Sequence, residues 1–81
     1  MSEMREHNIL TLIRSYRWAA QHRDIYQEQG EYQGYVVCYE AMIAIVAELK
    51  RRDRRAWSKW MHSPEKTDPA QFFMPEEAAN A

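Results

Sequence analysis

Apolar residues recur at Ile9, Leu12, Ile13, Tyr16, Ala19, Ala20 and Tyr26. Steps of three and four of this kind mark one face of an α-helix. Arg14, Gln21, Asp24 and Glu28 fall mostly on the other side, while Leu10, Trp18 and Ile25 lie off the stripe and widen the apolar face. Residues 3–29 contain no Gly or Pro. Ser2 can serve as N-cap, with Glu3 and Glu6 placed at the positive end of the helix dipole. The pattern therefore predicts a first helix over about 3–29.

Both glycines of the chain, Gly30 and Gly34, follow directly. Gly30 reads as the left-handed residue that ends a helix, and Gly34 as the start of the next one. A loop of about three to five residues between two long helices makes them antiparallel neighbours. The segment has too little glycine, and no lysine, to cradle a phosphate.

The second pattern is different. Residues 35–49 hold 13 apolar residues out of 15, interrupted only by Glu40 and Glu48. Val36, Val37, Ile43, Ile45 and Val46 are β-branched and would suit a strand. The absence of a breaker through residues 50–60 favours a helix instead, predicted over 34–61. A stripe at Tyr39, Met42, Val46, Leu49, Asp53, Ala56 and Trp60 runs down its length. Ser63-Pro64 ends it. In the tail, Asp68 is a good N-cap, Pro69 suits the first helical position, and Gln71 completes a capping box. A short helix over 69–74 would let Phe72 and Phe73 fold back on the hairpin, with residues 76–81 disordered.

The predicted fold is thus all-α: an antiparallel two-helix hairpin over 1–62 and a Pro-containing acidic tail over 63–81. A helix apolar all round is a buried helix. One neighbour cannot cover it, and each large apolar side chain left wet forfeits about 1.5–3 kcal/mol. The simplest closure is a homodimer forming a four-helix bundle. Its interface would use Tyr35, Tyr39, Met42, Ile45, Val46 and Leu49, with Phe72 and Phe73 from the tail. The tail capping a monomer, or a different protein covering the surface, are the other closures.

Composition sharpens this. With 81 residues the chain makes one small domain, and its 46% apolar and 28% charged residues are ordinary for a globular protein. So small a core rarely suffices alone, which again favours oligomerisation. A single cysteine excludes an internal disulfide. The apolar stretch is too short to span a bilayer and no targeting segment is visible, so the expected location is cytoplasmic, away from membranes.

Candidate chemistry is sparse. His7, His22 and His62 are far apart and match no zinc spacing, so no metal or cofactor is expected. Cys38 reads as a small buried hydrophobe, although His22 could meet it across the hairpin. Glu40 and Glu48 lie two turns apart and suit exposure, or pairing with Arg14, Arg17 or Arg23 of the first helix. No enclosed pocket is implied that would set them up as catalytic acid and base, so the chain is not read as an enzyme.

The net charge of −1 hides a polarity: residues 31–49 carry −3, 50–62 carry +5, and 63–81 carry −3. The basic run Lys50, Arg51, Arg52, Arg54, Arg55 and Lys59, interleaved with Trp57 and Trp60, is the sharpest feature. It suits phosphate or base contact. It equally suits a helix end whose dipole favours cations, with Glu48 and Arg52 as an i,i+4 pair, or an acidic tail folded onto it. The leading expectation is a small non-enzymatic module that binds and inhibits or modulates a target protein. Chains of this size and make-up are common among phage and mobile-element products that bind host proteins, an analogy of size and composition only. Binding of nucleic acid or a phosphorylated ligand through residues 50–60 is the alternative.

Overall fold

The computed structural model of the chain describes residues 6–63 and 68–73. Every regular element among them is helical: α1 (Ile9–Gln29), α2 (Tyr32–Arg52), α3 (Arg54–Met61) and α4 (Ala70–Phe73). The two long helices pack together as a hairpin, as the sequence pattern predicts.

The first helix starts later than predicted. Asn8 has extended backbone (φ −79°, ψ 171°), and its side-chain oxygen accepts from the Thr11 N–H at 2.8 Å. An asparagine that satisfies an orphan N–H this way is among the strongest N-caps. It interrupts the predicted helix over 3–29; Ser2 and Glu3 lie outside the described residues.

The turn is tighter than predicted. Gly30 adopts the left-handed region (φ 73°), its N–H donating to the Gln27 carbonyl, while Glu31 N–H donates to Tyr26. This crossed pair of bonds is the Schellman ending. Only Gly30 and Glu31 separate the helices, so Gly34 falls within the first turn of α2. Its missing side chain lets the Tyr26 ring approach: a Cβ there would sit 2.7 Å from the ring carbons.

The predicted helix over 34–61 is two helices. At Asp53 the backbone leaves the helical region (φ −149°, ψ 88°), and the Asp53 carboxylate accepts from Ala56 N–H at 3.1 Å, capping α3. The cause lies in the hairpin. Counted outward from the Gly30–Glu31 turn, Ile9 falls opposite Arg52, where α1 begins and α2 ends. A straight continuation would carry Ala56 and Trp60 past the end of α1, with nothing to pack on. The break turns them back into the core instead.

That core lies at the open end of the hairpin. Leu12, Ile13, Ile45 and Leu49 meet Ala56, Trp60 and Phe73. Trp60 is 2% exposed and takes edge-to-face contacts from Tyr16 at 5.2 Å and Phe73 at 6.2 Å. A smaller cluster of Ala19, Cys38 and Met42 holds the turn end. The tail does fold back: Asp68 accepts from Ala70 N–H at 3.3 Å, and α4 inserts Phe73 beside Trp60. Met74 and residues 76–81 lie outside the described residues. Among the described residues, no helix is long and apolar enough to cross a membrane.

Candidate interaction surface

The basic run is largely engaged within the chain. Glu48 is buried and held by its own helix: the i,i+4 pair with Arg52 forms as predicted, whereas exposure or pairing with an arginine of the first helix, the other expectation for this group, does not occur. Arg51 donates to it at 2.6 and 3.1 Å, and Arg52 at 2.8 Å. These hydrogen bonds, Arg51 first and Arg52 second, hold the Glu48 carboxyl far below its ordinary value of 4.5, at about 2. Glu48 in turn raises the Arg51 pKa. Lys50 is drawn over the Trp57 ring, its Nζ 4.3 Å from the centroid. The attraction of a cation to an aromatic face makes this a closed pair. Trp60 is in the core. Arg54, Arg55 and Lys59 stand exposed on α3 with no ion pair among the described residues.

The arginines of α1 are used differently from the prediction. Arg17 forms a two-point ion pair with Asp68 and ties the tail to the hairpin. Arg23 places Nε and Nη2 on Asp24, and its Nη1 lies 3.8 Å from Met42 Sδ. Arg14 is exposed, and so is Glu40. The tail carboxylate that the structure describes therefore sits on α1 rather than on the basic run.

The expected interface residues divide. Ile45, Leu49, Met42 and Phe73 are buried in the chain's own core. Tyr35, Val46 and Phe72 are half-buried, and Tyr39 is exposed, its ring stacked on Tyr35 at 6.0 Å. The surface offered outward is made by their neighbours. On α2, Tyr32, Val37 and Ile43 are 75%, 66% and 54% exposed. On α1, Trp18 is 57% exposed and stacks on His22 at 3.9 Å. His22 Nδ1 donates to the Trp18 carbonyl oxygen at 2.9 Å, which fixes the imidazole against its own helix. Cys38 is buried between Ala19 and Met42.

Two hollows accompany these side chains, one on each flank of the α1–α2 contact. One, of about 440 Å³, lies between Tyr16, Ala20 and Arg23 of α1 and Tyr39, Met42, Ile43 and Val46 of α2. Burial there pushes the Tyr16 hydroxyl pKa up, with Arg23 opposing weakly. The other, of about 290 Å³, is almost wholly apolar and is walled by Trp18, Val37 and Ala41 over Ala19, Cys38 and Ile45. Sequence reasoning leaves Val37 and Ile43 out of the surface; it groups Trp18 with the tyrosines near the turn as suited to an interface or, more commonly, to the core, and gives Arg23 only as a partner for Glu40 or Glu48. The exposed side of α2 is apolar like its buried side, so composition gives no polar face to orient it. Among the described residues no group of His, Cys, Asp or Glu is placed to hold a metal ion.

No protein-family model, curated protein or solved structure matches the chain.

Proposed function

We propose that this chain is a non-enzymatic protein–protein interaction module: a hairpin that works as a homodimer and uses its remaining apolar flank to bind and modulate a target protein. The observation that carries the reading is the outer side of α2. A helix already filling the core with Cys38, Met42, Ile45 and Leu49 also exposes Tyr32, Val37, Tyr39 and Ile43. Contiguous apolar surface of this kind marks an interaction site. With one hollow on either flank, one occupant can be a second copy and the other a target.

The test is capture from cell lysate by the immobilised chain, with nuclease and at raised salt. A protein band retained under both conditions, and lost with Trp18→Glu plus Val37→Glu, supports the reading. A signal that disappears with nuclease, and with Arg54 and Arg55 reversed in charge, would transfer the function to nucleic acid. Phosphate contacts lose affinity steeply with salt. Against that alternative, Trp60 is buried and Trp57 is covered by Lys50, which removes the stacking aromatics.

A further inference from the structure

The outer side of α2 carries a regular spacing. Tyr32, Val36, Tyr39, Ile43 and Val46 follow one another in alternating steps of four and three. This is the heptad spacing that keeps one seam of a helix facing a partner helix. All five lie outside the buried core: three are exposed, and Val36 and Val46 are half-buried. The next seam position is Lys50, where the seam closes because that side chain is turned onto Trp57. The seam therefore covers the two heptads nearest the turn, and only its far end, at Val46, packs against the core cluster that α3 and α4 complete.

Charge decides what can lie on it. From residue 32 to residue 47 of α2, Glu40 is the one charged side chain, and it is exposed with no ion pair among the described residues. It borders the seam on the flank away from α1. On the opposite flank, the cleft beside Tyr39 and Met42 contains one charged group, Arg23, whose Nη1 points over Met42 Sδ while its other nitrogens hold Asp24. One flank of the seam thus carries the carboxylate of Glu40, and the other presents the Nη1 of Arg23, whose remaining nitrogens are paired with Asp24, at nearly the same height along the helix.

We propose that this seam docks against the same seam of a second copy with the two α2 helices parallel, so that Glu40 of each copy meets Arg23 of the other. The proposal rests on the reading above that this face docks protein. Charge selects the parallel orientation. A twofold axis along the helices turns each flank toward the partner's opposite flank, pairing acid with base twice. A twofold axis across them turns like flanks together: with Tyr39 opposite Ile43, Glu40 would lie near Glu40 and Arg23 near Arg23. Like charges set against each other at an interface are strongly disfavoured. Val36 and Ile43 share one heptad position and Tyr32, Tyr39 and Val46 the other, a pattern that favours neither orientation, so charge alone selects it.

The test uses the full chain in sedimentation equilibrium, with circular dichroism to confirm that each variant is folded. Glu40→Arg and Arg23→Glu should each weaken dimerisation by at least about tenfold, and the double exchange should restore most of it. Where Arg23→Glu disturbs the fold, Arg23→Gln with Glu40→Gln replaces the pair, and weakening without unfolding is expected. Val36→Cys in a Cys38→Ala background should then form a disulfide between copies under mild oxidation. In the parallel dimer the two positions face each other, whereas in an antiparallel one they stand about 15 Å apart at ~1.5 Å per residue. A dimer indifferent to charge reversal, or one that resists this cross-link, overturns the proposal and leaves the docking reading standing. A wild-type chain that stays monomeric at millimolar concentration overturns it as well. The docking reading itself falls if that chain also captures no protein through Trp18 and Val37.

Discussion

Glu48 shows how one side chain can absorb a conspicuous charge run. Two arginines of the same helix close on a carboxylate that is only 8% exposed. The folded chain therefore gives up the Glu48 proton far more readily than the unfolded chain does. The stabilisation is fully present above the ordinary value of 4.5 and is lost as pH falls through about 2. Thermal melts across that acid range should show wild-type stability falling more steeply than that of Glu48→Gln, and the variant should be the less stable at neutral pH. A variant with the same acid profile as wild type would show that the arginines do not hold this group. Gly34 makes a second prediction at this scale. Alanine normally gains about 1 kcal/mol over glycine inside a helix. Here a Cβ would meet Tyr26 Cγ, Cδ1 and Cδ2 at 2.7–2.8 Å, so the ring must leave its place. Overpacking costs about 1–3 kcal/mol. Gly34→Ala should destabilise the wild type and stabilise a Tyr26→Ala background, a reversal that denaturant titration of the four proteins would detect.

Among the elements, Asp53 carries the least expected feature. Asp53→Ala removes the cap of α3 and should cost about 1 kcal/mol. Asp53→Asn keeps an acceptor and should cost much less, as urea midpoints would report. How legible each element was depends on the range of the forces that set it. The Gly30 ending and the Asp68-Pro69 turn are written in adjacent residues, and both are visible in the sequence. The break at Asp53 is not, because residues 54–61 continue the helical spacing without Gly or Pro. What ends α2 is the point where α1 begins, a relation between residues 44 positions apart, Ile9 and Asp53. Asn8 and Ser2 are both good caps by type, and nothing local chooses between them. The basic run was legible as a run, and so was its local pairing of Glu48 with Arg52, but the contact of Lys50 with Trp57 depends on how α3 turns at Asp53. The outward side chains Val37 and Ile43 stayed hidden for the opposite reason: with apolar residues all round, period alone cannot say which face meets α1.

At the scale of the whole molecule, an electrostatically near-neutral chain separates its tasks along one axis. The open end gathers the large aromatics, the tail and the cations. The turn end and the outer side of α2 carry exposed tyrosines and aliphatics with Glu40 between them. The all-helical hairpin accounts for the first part without any partner, since Trp60 and Phe73 complete a core within one chain. The second part is what the proposed self-docking and target binding would use.

The two-residue turn has a further consequence, in the time domain. Because Gly30 and Glu31 bring the helices together with nothing beyond them, the turn end relies on the small cluster of Ala19, Cys38 and Met42. Local opening is easiest where few apolar groups are buried. In dilute solution, amide hydrogens near Tyr26 and Val36 should exchange sooner than those near Ile13 and Leu49. Raising the protein concentration should slow the first set selectively if a second copy lies along α2. The weak end of the hairpin would then act as its own reporter of assembly, opening in the single chain and closing when it is covered.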